Sequence, residues 1–548
     1  MAVRPRVAKV YSCFNDGMQG VLSEIEVSVS PGIPTFSVIG LCDSSIRESQ
    51  GRLRSALAGA GFRMPKGHVT VSISPAYLRK SGSGFDLAMA AAILFASGQL
   101  HDPGGMKVYA EGELTLTGAV KGTPGAALRL NRLRDEKMDI KLIPKEEVLS
   151  ARCTGTSAQA VGCLEDLTRL FSVTGYVPLQ YQLETLPDED SEYIDISLLK
   201  GQEKTKRALI ISASGFHNLL LLGSPGSGKT MAGRILTGIL PPLARSEISA
   251  AYAVSEAVGV LPGAKLTGTR PCRYIGPQVT TSKLYGSSVK LTPGELTLAN
   301  NGVLFADEIL EYKSEVIESL RQPLEERAVR LTRNGRSYEF PANFIFVGTG
   351  NPCKCGMYYE PGHKCRCSPG VRQRYLNKLS GPFLERIDLF SEMHAISGSA
   401  MEEMYGAAGR RTSGHVLSLG LSGDSGGSAA EISSEPLREH EAGFHLCAKN
   451  GESIRIRDEV AQCWQRQASR YGEGIYNATV DAPDLGDIMR IPDDVLRYGS
   501  ELSQKGFFSA RGYSRILRVA RTIADMGGRD DVTAADVAEA AVFRTHEL

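Results

Sequence analysis

Eight consecutive residues carry the clearest chemistry in this sequence: Gly223, Ser224, Pro225, Gly226, Ser227, Gly228, Lys229 and Thr230. They fit the spacing G-x-x-x-x-G-K-[ST], in which glycines let backbone N–H groups converge on an anion. A helix starting directly after the turn adds its positive dipole end. Lys229 can reach the β- and γ-phosphates of a nucleoside triphosphate, and the Thr230 hydroxyl can ligate Mg2+. The surroundings agree with that use: the apolar run 219–222 precedes the turn as a buried strand, and a helical segment follows over 231–240. ATP is the expected ligand.

Downstream, the strand-like run 302–306 ends in Asp307 and Glu308. A buried strand that delivers two carboxylates at its C-terminal end sets them beside the phosphates. Asp307 would hold Mg2+ through water, and Glu308 would polarise the attacking water as general base. A further apolar run, 344–348, leads to Asn351, whose side chain could position that water; taken alone it reads more readily as a turn asparagine. Two residues later Cys353 and Cys355, then Cys365 and Cys367, make a C-x-C…C-x-C pattern. Four thiolates suit tetrahedral Zn2+, with Lys354, Lys364 and Arg366 offsetting their charge. His363 could replace one cysteine, and two disulfides are the alternative, disfavoured in a reducing compartment.

These residues need a scaffold, and the chain is long enough for three or so domains at 548 residues. The net charge of +1 gives no global basic field, so any nucleic-acid contact must come from a local patch. Residues 1–12 carry charges without an apolar core, unlike a signal peptide, and the longest apolar stretch, 87–96, is too short for a bilayer. Eleven cysteines without a secretion signal fit a reduced, cytoplasmic protein with no membrane partner. Alternating apolar residues at 25–29, 36–39 and 69–73 predict half-buried strands, and Ile46, Leu53 and Leu57 share a helix face. The expected layout is an α/β N-domain over 1–175, an acidic linker over 176–193 and an α/β core with a parallel sheet over 194–394. A Gly/Ser-rich connector over 395–450 and an all-α lid over 451–548 complete it. Asn334-Gly335 between alternating runs predicts a hairpin with Arg333 and Arg336 at its tip, which reads equally as a solvated turn.

Several stretches together resemble the magnesium-chelatase-like branch of AAA+ ATPases. They are Gln202-Glu203 with Lys206-Arg207-Ala208, the glycine-rich loop, 294–305, and Asn351-Pro352-Cys353. Within that branch the chain is similar to the ComM/YifB family through nearly its whole length, including 380–389. The resemblance implies that Asn351 is sensor 1, that Arg386 is an arginine finger acting across a subunit boundary, and that Arg511 is sensor 2, reaching the γ-phosphate from the lid. It further implies a ring of identical copies, a hexamer, with the basic hairpin turned toward a central pore where Arg333 and Arg336 meet DNA phosphates. The function it implies is a DNA-remodelling motor of the branch-migration or helicase type. The alternatives are an ATPase that remodels a protein partner in the chaperone or chelatase manner, or an ATP-dependent protease.

Residues 75–95 with 118–122 resemble a Lon-protease-like fold, whose Ser–Lys dyad would use Lys121. The nucleophile position aligns with Gly84, with Ser81 and Ser83 nearby, so a structural or binding role is expected. Two departures from the ComM/YifB pattern stand out. The segment 270–278 has Cys272 in place of a phenylalanine and lacks a paired histidine, and Ala306 replaces a leucine before Asp307.

Overall fold

Period-two burial builds the N-terminal sheet. Along Gln19–Pro31, Ile25 and Val27 are fully buried while the residues between them are not, as a half-buried strand requires. This strand pairs antiparallel with Arg6–Asp16 and with Gly67–Ile73. Thr35–Ile39 adds a parallel edge, and Val108–Ala110, Ile140–Pro144 and Gln159–Val161 extend the other side in parallel, giving seven strands. Ile46, Leu53 and Leu57 of helix Ser44–Gly59 are buried together, and helix Asp86–Ser97 is buried on nearly every side. The computed structural model describes residues 6–172, 194–395 and 451–544 except 42, 81, 135, 260–267, 361–364, 481–484 and 506–508. The linker 176–193 and the connector beyond 395 therefore lie outside the described residues, as do Ser81, His363 and Lys364.

The second sheet is wholly parallel. Its order is Cys272–Ile275, Val303–Ala306, Ile345–Gly350, Leu219–Gly223 and Leu389–Met393. Parallel sheets are covered on both faces, so their strands read as unbroken apolar runs. The two faces are nevertheless distinct. Leu219, Leu221, Val303, Phe305, Ile345 and Val347 enter one core, while Leu220, Leu222, Leu304, Ala306 and Phe346 enter another. Helices Glu203–Gly215 and Lys229–Ile239 cover the first face.

The C-terminal helices pack into that same first core rather than forming one of their own. Helix Glu452–Tyr471 contributes Ile456, Val460 and Trp464, and helix Ala510–Met526 contributes Ile516, Val519 and Ile523. Thr533 caps the last helix, Ala534–Val542, in a reciprocal box with Asp536. Arg515 and Arg521 of helix Ala510–Met526 are paired inside the protein. Arg521 is fully buried against Asp525, and Arg515 meets Asp388 at 2.5 Å. Burial raises the Asp388 pKa, but Arg515 and His217 outweigh it and hold the carboxyl far below its ordinary value.

Helix Arg245–Ala257 joins the two sheets' domains. Its Glu256 accepts from the Ala127 N–H at 2.7 Å and from Ser150 Oγ at 3.0 Å, over a small core of Ala127, Leu128, Cys153, Tyr252 and Ala253. The turn at Gly17 makes a second junction, where Tyr338 of the basic hairpin packs against Gly17. Among the described residues no helix is long and apolar enough to cross a membrane.

Candidate nucleotide site and cysteine cluster

The loop after strand Leu219–Gly223 depends on two backbone positions. Gly226 and Gly228 have φ of +77° and +93°, conformations that side chains rarely adopt, and helix Lys229–Ile239 starts directly behind them. The Ser224 and Ser227 hydroxyls are buried without a hydrogen-bond partner. Orphaned buried polar groups are costly, and here they lie on a loop shaped to receive an anion. Lys229 Nζ donates to the carbonyls of Gly223 at 2.8 Å and Ser224 at 2.7 Å, and to Asn351 Oδ1 at 3.3 Å. Burial lowers the pKa of this amine, while Asp307 and Glu308 partly oppose the shift.

Three adjacent strands thus deliver their ends to one place. Val303–Ala306 brings Asp307 and Glu308, Leu219–Gly223 brings the loop, and Ile345–Gly350 between them brings Asn351. Thr349, which sequence reasoning missed, ties two of these ends together. Its hydroxyl donates to Asp307 Oδ1 at 2.6 Å and accepts from the Glu308 N–H at 3.1 Å. Glu308 sits at φ +52° and ψ +48°, a left-handed conformation costing about 1–3 kcal/mol for such a residue. That strain turns an exposed carboxylate out of the strand line. The one polar residue with a hydroxyl in an otherwise apolar strand was the available signal for Thr349. Thr230 is exposed at the helix start, so Thr230 and Asp307 offer the oxygen ligands that Mg2+ prefers.

Arg386 and Arg511 lie elsewhere. They line a cleft of about 390 Å³ with Glu325, Glu385, Arg327 and Arg515, and among the described residues none of the glycine-rich loop lines it. Arg386 is 8% exposed, pairs with Glu325 and donates to the Pro382 carbonyl at 2.5 Å, leaving its Nε without a partner. Arg511 is 64% exposed and approaches Glu325 at 3.9 Å and Glu385 at 3.6 Å. The resemblance implies an Arg511 that reaches the phosphate from the lid. The structure sets it beside Arg386, because helix Ala510–Met526 begins next to the 325 and 385 carboxylates. Glu325 is a second residue that sequence reasoning missed, and nothing local in the sequence marks it.

The four cysteines converge. Their Sγ atoms all lie within 4.8 Å of one another, with Cys353–Cys355 at 3.3 Å and Cys355–Cys365 and Cys353–Cys365 at 3.5 Å. A disulfide bond is about 2.0 Å, so these are free thiols. Ligands at about 2.3 Å around a tetrahedral metal stand roughly 3.8 Å apart, which this cluster fits. Backbone N–H groups of Met357 and Arg366 donate to Cys355 Sγ and bring its pKa down to about 6.

The basic hairpin forms as the sequence predicts. Ala328–Arg333 pairs with Arg336–Pro341, with Arg333 opposite Arg336, and Asn334 and Gly335 have φ of +50° and +74°, the turn that matches strand twist. Arg336 is exposed and Arg333 half-buried. Arg330, lower on the hairpin, is matched by Glu326 and Glu339. In the N-terminal domain, Lys121 Nζ is paired with Glu146 at 2.8 Å and Ser83 Oγ with Glu113. A side chain at Gly84 would meet Thr123. The lysine and the nearby serine are each engaged by a different carboxylate.

Of the two departures, Cys272 packs against the first core and Ala306 is buried in the second, while the arginines flanking Cys272 are held within the chain. Arg270 is buried, donating to the carbonyls of Pro241 and Asn301 at 2.7 Å, pairing with Glu247 and lying over the Trp464 ring. Arg273 pairs with Glu295 at 2.7 Å.

Comparison with known proteins agrees with this architecture. The model of the family described as magnesium chelatase, subunit ChlI, matches residues 195–401. Two companions, subunit ChlI of Mg-chelatase and the ChlI C-terminal region, match 25–147 and 450–544. The chain is 31% identical to the competence protein ComM of Haemophilus influenzae over 98% of its own length and 97% of that protein. It is 31% identical to the uncharacterized protein YifB of Escherichia coli over 95% of its length and 93% of that chain. A magnesium-chelatase 38 kDa subunit of Cereibacter sphaeroides is 28% identical over 28% of this chain and 52% of its own. A phosphate-loop sheet, a second α/β domain and C-terminal helices, matched in order and almost end to end, place this chain in the ComM/YifB family of magnesium-chelatase-like AAA+ ATPases.

Proposed function

We propose that the chain is an ATP-driven motor that acts on DNA as a ring of identical copies, with a hexamer as the expected form. The observation that carries the ATPase reading is the meeting of Lys229 with Asn351 at 3.3 Å beside the Thr349-linked pair Asp307 and Glu308. Residues 223–230 cradle the phosphates, and Thr230 and Asp307 hold Mg2+, which neutralises charge building on the phosphates. Glu308 takes a proton from the attacking water, and Asn351 orients that water. Arg386 and Arg511 line a separate cleft that none of the described loop residues lines, which supports a role on the neighbour's nucleotide: two guanidiniums, permanently charged, completing the next subunit's site. Cys353, Cys355, Cys365 and Cys367 hold a structural Zn2+.

DNA is the favoured substrate because the exposed hairpin tip carries Arg333 and Arg336 and a relative of full length is named for competence. Contacts of this kind read the phosphate backbone, not sequence, and weaken with salt. The test is ATP turnover with and without single-stranded and branched DNA. Stimulation by branched DNA together with its unwinding is expected. Turnover that ignores DNA while forked substrates stay intact would remove the DNA reading and leave a motor acting on a protein partner.

A further inference from the structure

The cysteine cluster and the phosphate loop touch. Gly356 turns the chain between the first two thiols and the rest of the cluster at φ +77°, its N–H bonding the Cys353 carbonyl at 3.0 Å. A Cβ there would stand 2.7 Å from both Cδ and Cγ of Pro225. Only a residue without a side chain lets this turn lie against the loop. On its N-terminal side the turn is two residues from Asn351, which accepts from Lys229. On the other side, the Tyr359 carbonyl lies 3.2 Å from His394 Nδ1 at the sheet edge. The knuckle is therefore pinned at both ends and pressed against the nucleotide cradle in the middle.

We propose that Zn2+ on the four thiolates braces the phosphate loop, so that zinc occupancy sets the affinity for nucleotide. Without the metal, the thiols are joined only by weak S–H···S contacts at 3.3–3.5 Å. The turn at Gly356 then loses its fixed shape, and Pro225 loses its support. With the metal, the turn is rigid and the loop is held in its anion-binding form before nucleotide arrives, which removes an ordering cost from binding. Coupling between two ligands is reciprocal, so bound nucleotide holds zinc more tightly by the same factor. This inference rests on the ATPase reading above.

The full-length chain, purified without added metal, is expected to hold one zinc. Stripping it with a zinc-selective pyridyl chelator in excess Mg2+ is expected to lower affinity for a fluorescent ATP analogue by about 10-fold or more. Zinc alone should restore that affinity. ATP should slow zinc release to the chelator by a matching factor. Gly356→Ala should keep its zinc yet bind nucleotide more weakly, separating the contact from metal binding and from folding. A chain that holds no zinc overturns the site. Zinc whose removal leaves nucleotide affinity unchanged, or whose release ignores ATP, overturns the brace alone. Failure of the zinc-loaded chain to bind ATP overturns the ATPase reading and the brace with it.

Discussion

The phosphate loop and the arginine cleft differ in how their polar side chains are held. At the loop, Lys229, Asn351, Thr349, Asp307 and Glu308 are joined within one chain by hydrogen bonds of 2.6–3.3 Å, across three neighbouring strands. At the cleft, Arg386 and Arg511 are held by Glu325 and Glu385 of the same chain and meet none of the described loop residues. A strand end is fixed by its sheet, so chemistry placed there is assembled on folding. Arg386, buried, and Arg511, at an exposed helix start, are held instead by carboxylates outside that loop. The difference supports a site divided between subunits.

The sharpest break of that comparison removes one half at a time. Arg386→Ala is expected to lower ATP turnover by about 10³-fold while leaving nucleotide affinity unchanged, and Lys229→Ala to abolish binding itself. Mixing the two inactive proteins should recover a fraction of wild-type turnover, since some interfaces then combine an intact loop with an intact arginine. No recovery on mixing would mean that both halves serve the same subunit. Glu308→Gln should cost about 10²–10⁴-fold in turnover with ATP still bound, and a weakened affinity instead would place the carboxylate in binding rather than in proton transfer.

Smaller effects probe how each half is held. Thr349→Val removes both hydrogen bonds that align Asp307 and Glu308, and about a tenfold loss in kcat is expected, with Thr349→Ser close to wild type. An equal loss in both variants would point to packing of the methyl group rather than the hydroxyl. Glu325→Gln frees Arg386 and Arg511 from a half-exposed carboxylate, an ion pair of modest strength. Turnover should rise by up to about fivefold at low protein concentration; a fall would show that Glu325 aims the guanidinium instead of occupying it.

The N-terminal domain offers a second contrast. The resemblance gives Lys121 the position of a dyad lysine, whereas its amine pairs with Glu146 and Ser83 pairs with Glu113. A similar fold thus carries different contacts, and fold by itself does not carry activity.

What the sequence by itself determined was whatever depends on neighbours in the chain. The glycine spacing of 223–230 demands positive φ, the apolar runs 219–222 and 303–306 make strands covered on both faces, and Asn334-Gly335 forces a tight hairpin. The C-x-C pairs sit on local turns, so the four-thiol cluster was also legible. Tertiary structure alone decided the rest. Thr349 and Asp307 are 42 residues apart and meet only because their strands are adjacent in the sheet. Glu325 and Arg386 are 61 apart, Arg515 and Asp388 are 127 apart, and Arg521 is buried where its sequence reads equally as a solvated helix charge. The contact of Gly356 with Pro225 is of the same kind. Backbone conformation is set by residues a few positions away, whereas the partner of a charge or a loop is set by which elements the sheet order brings together.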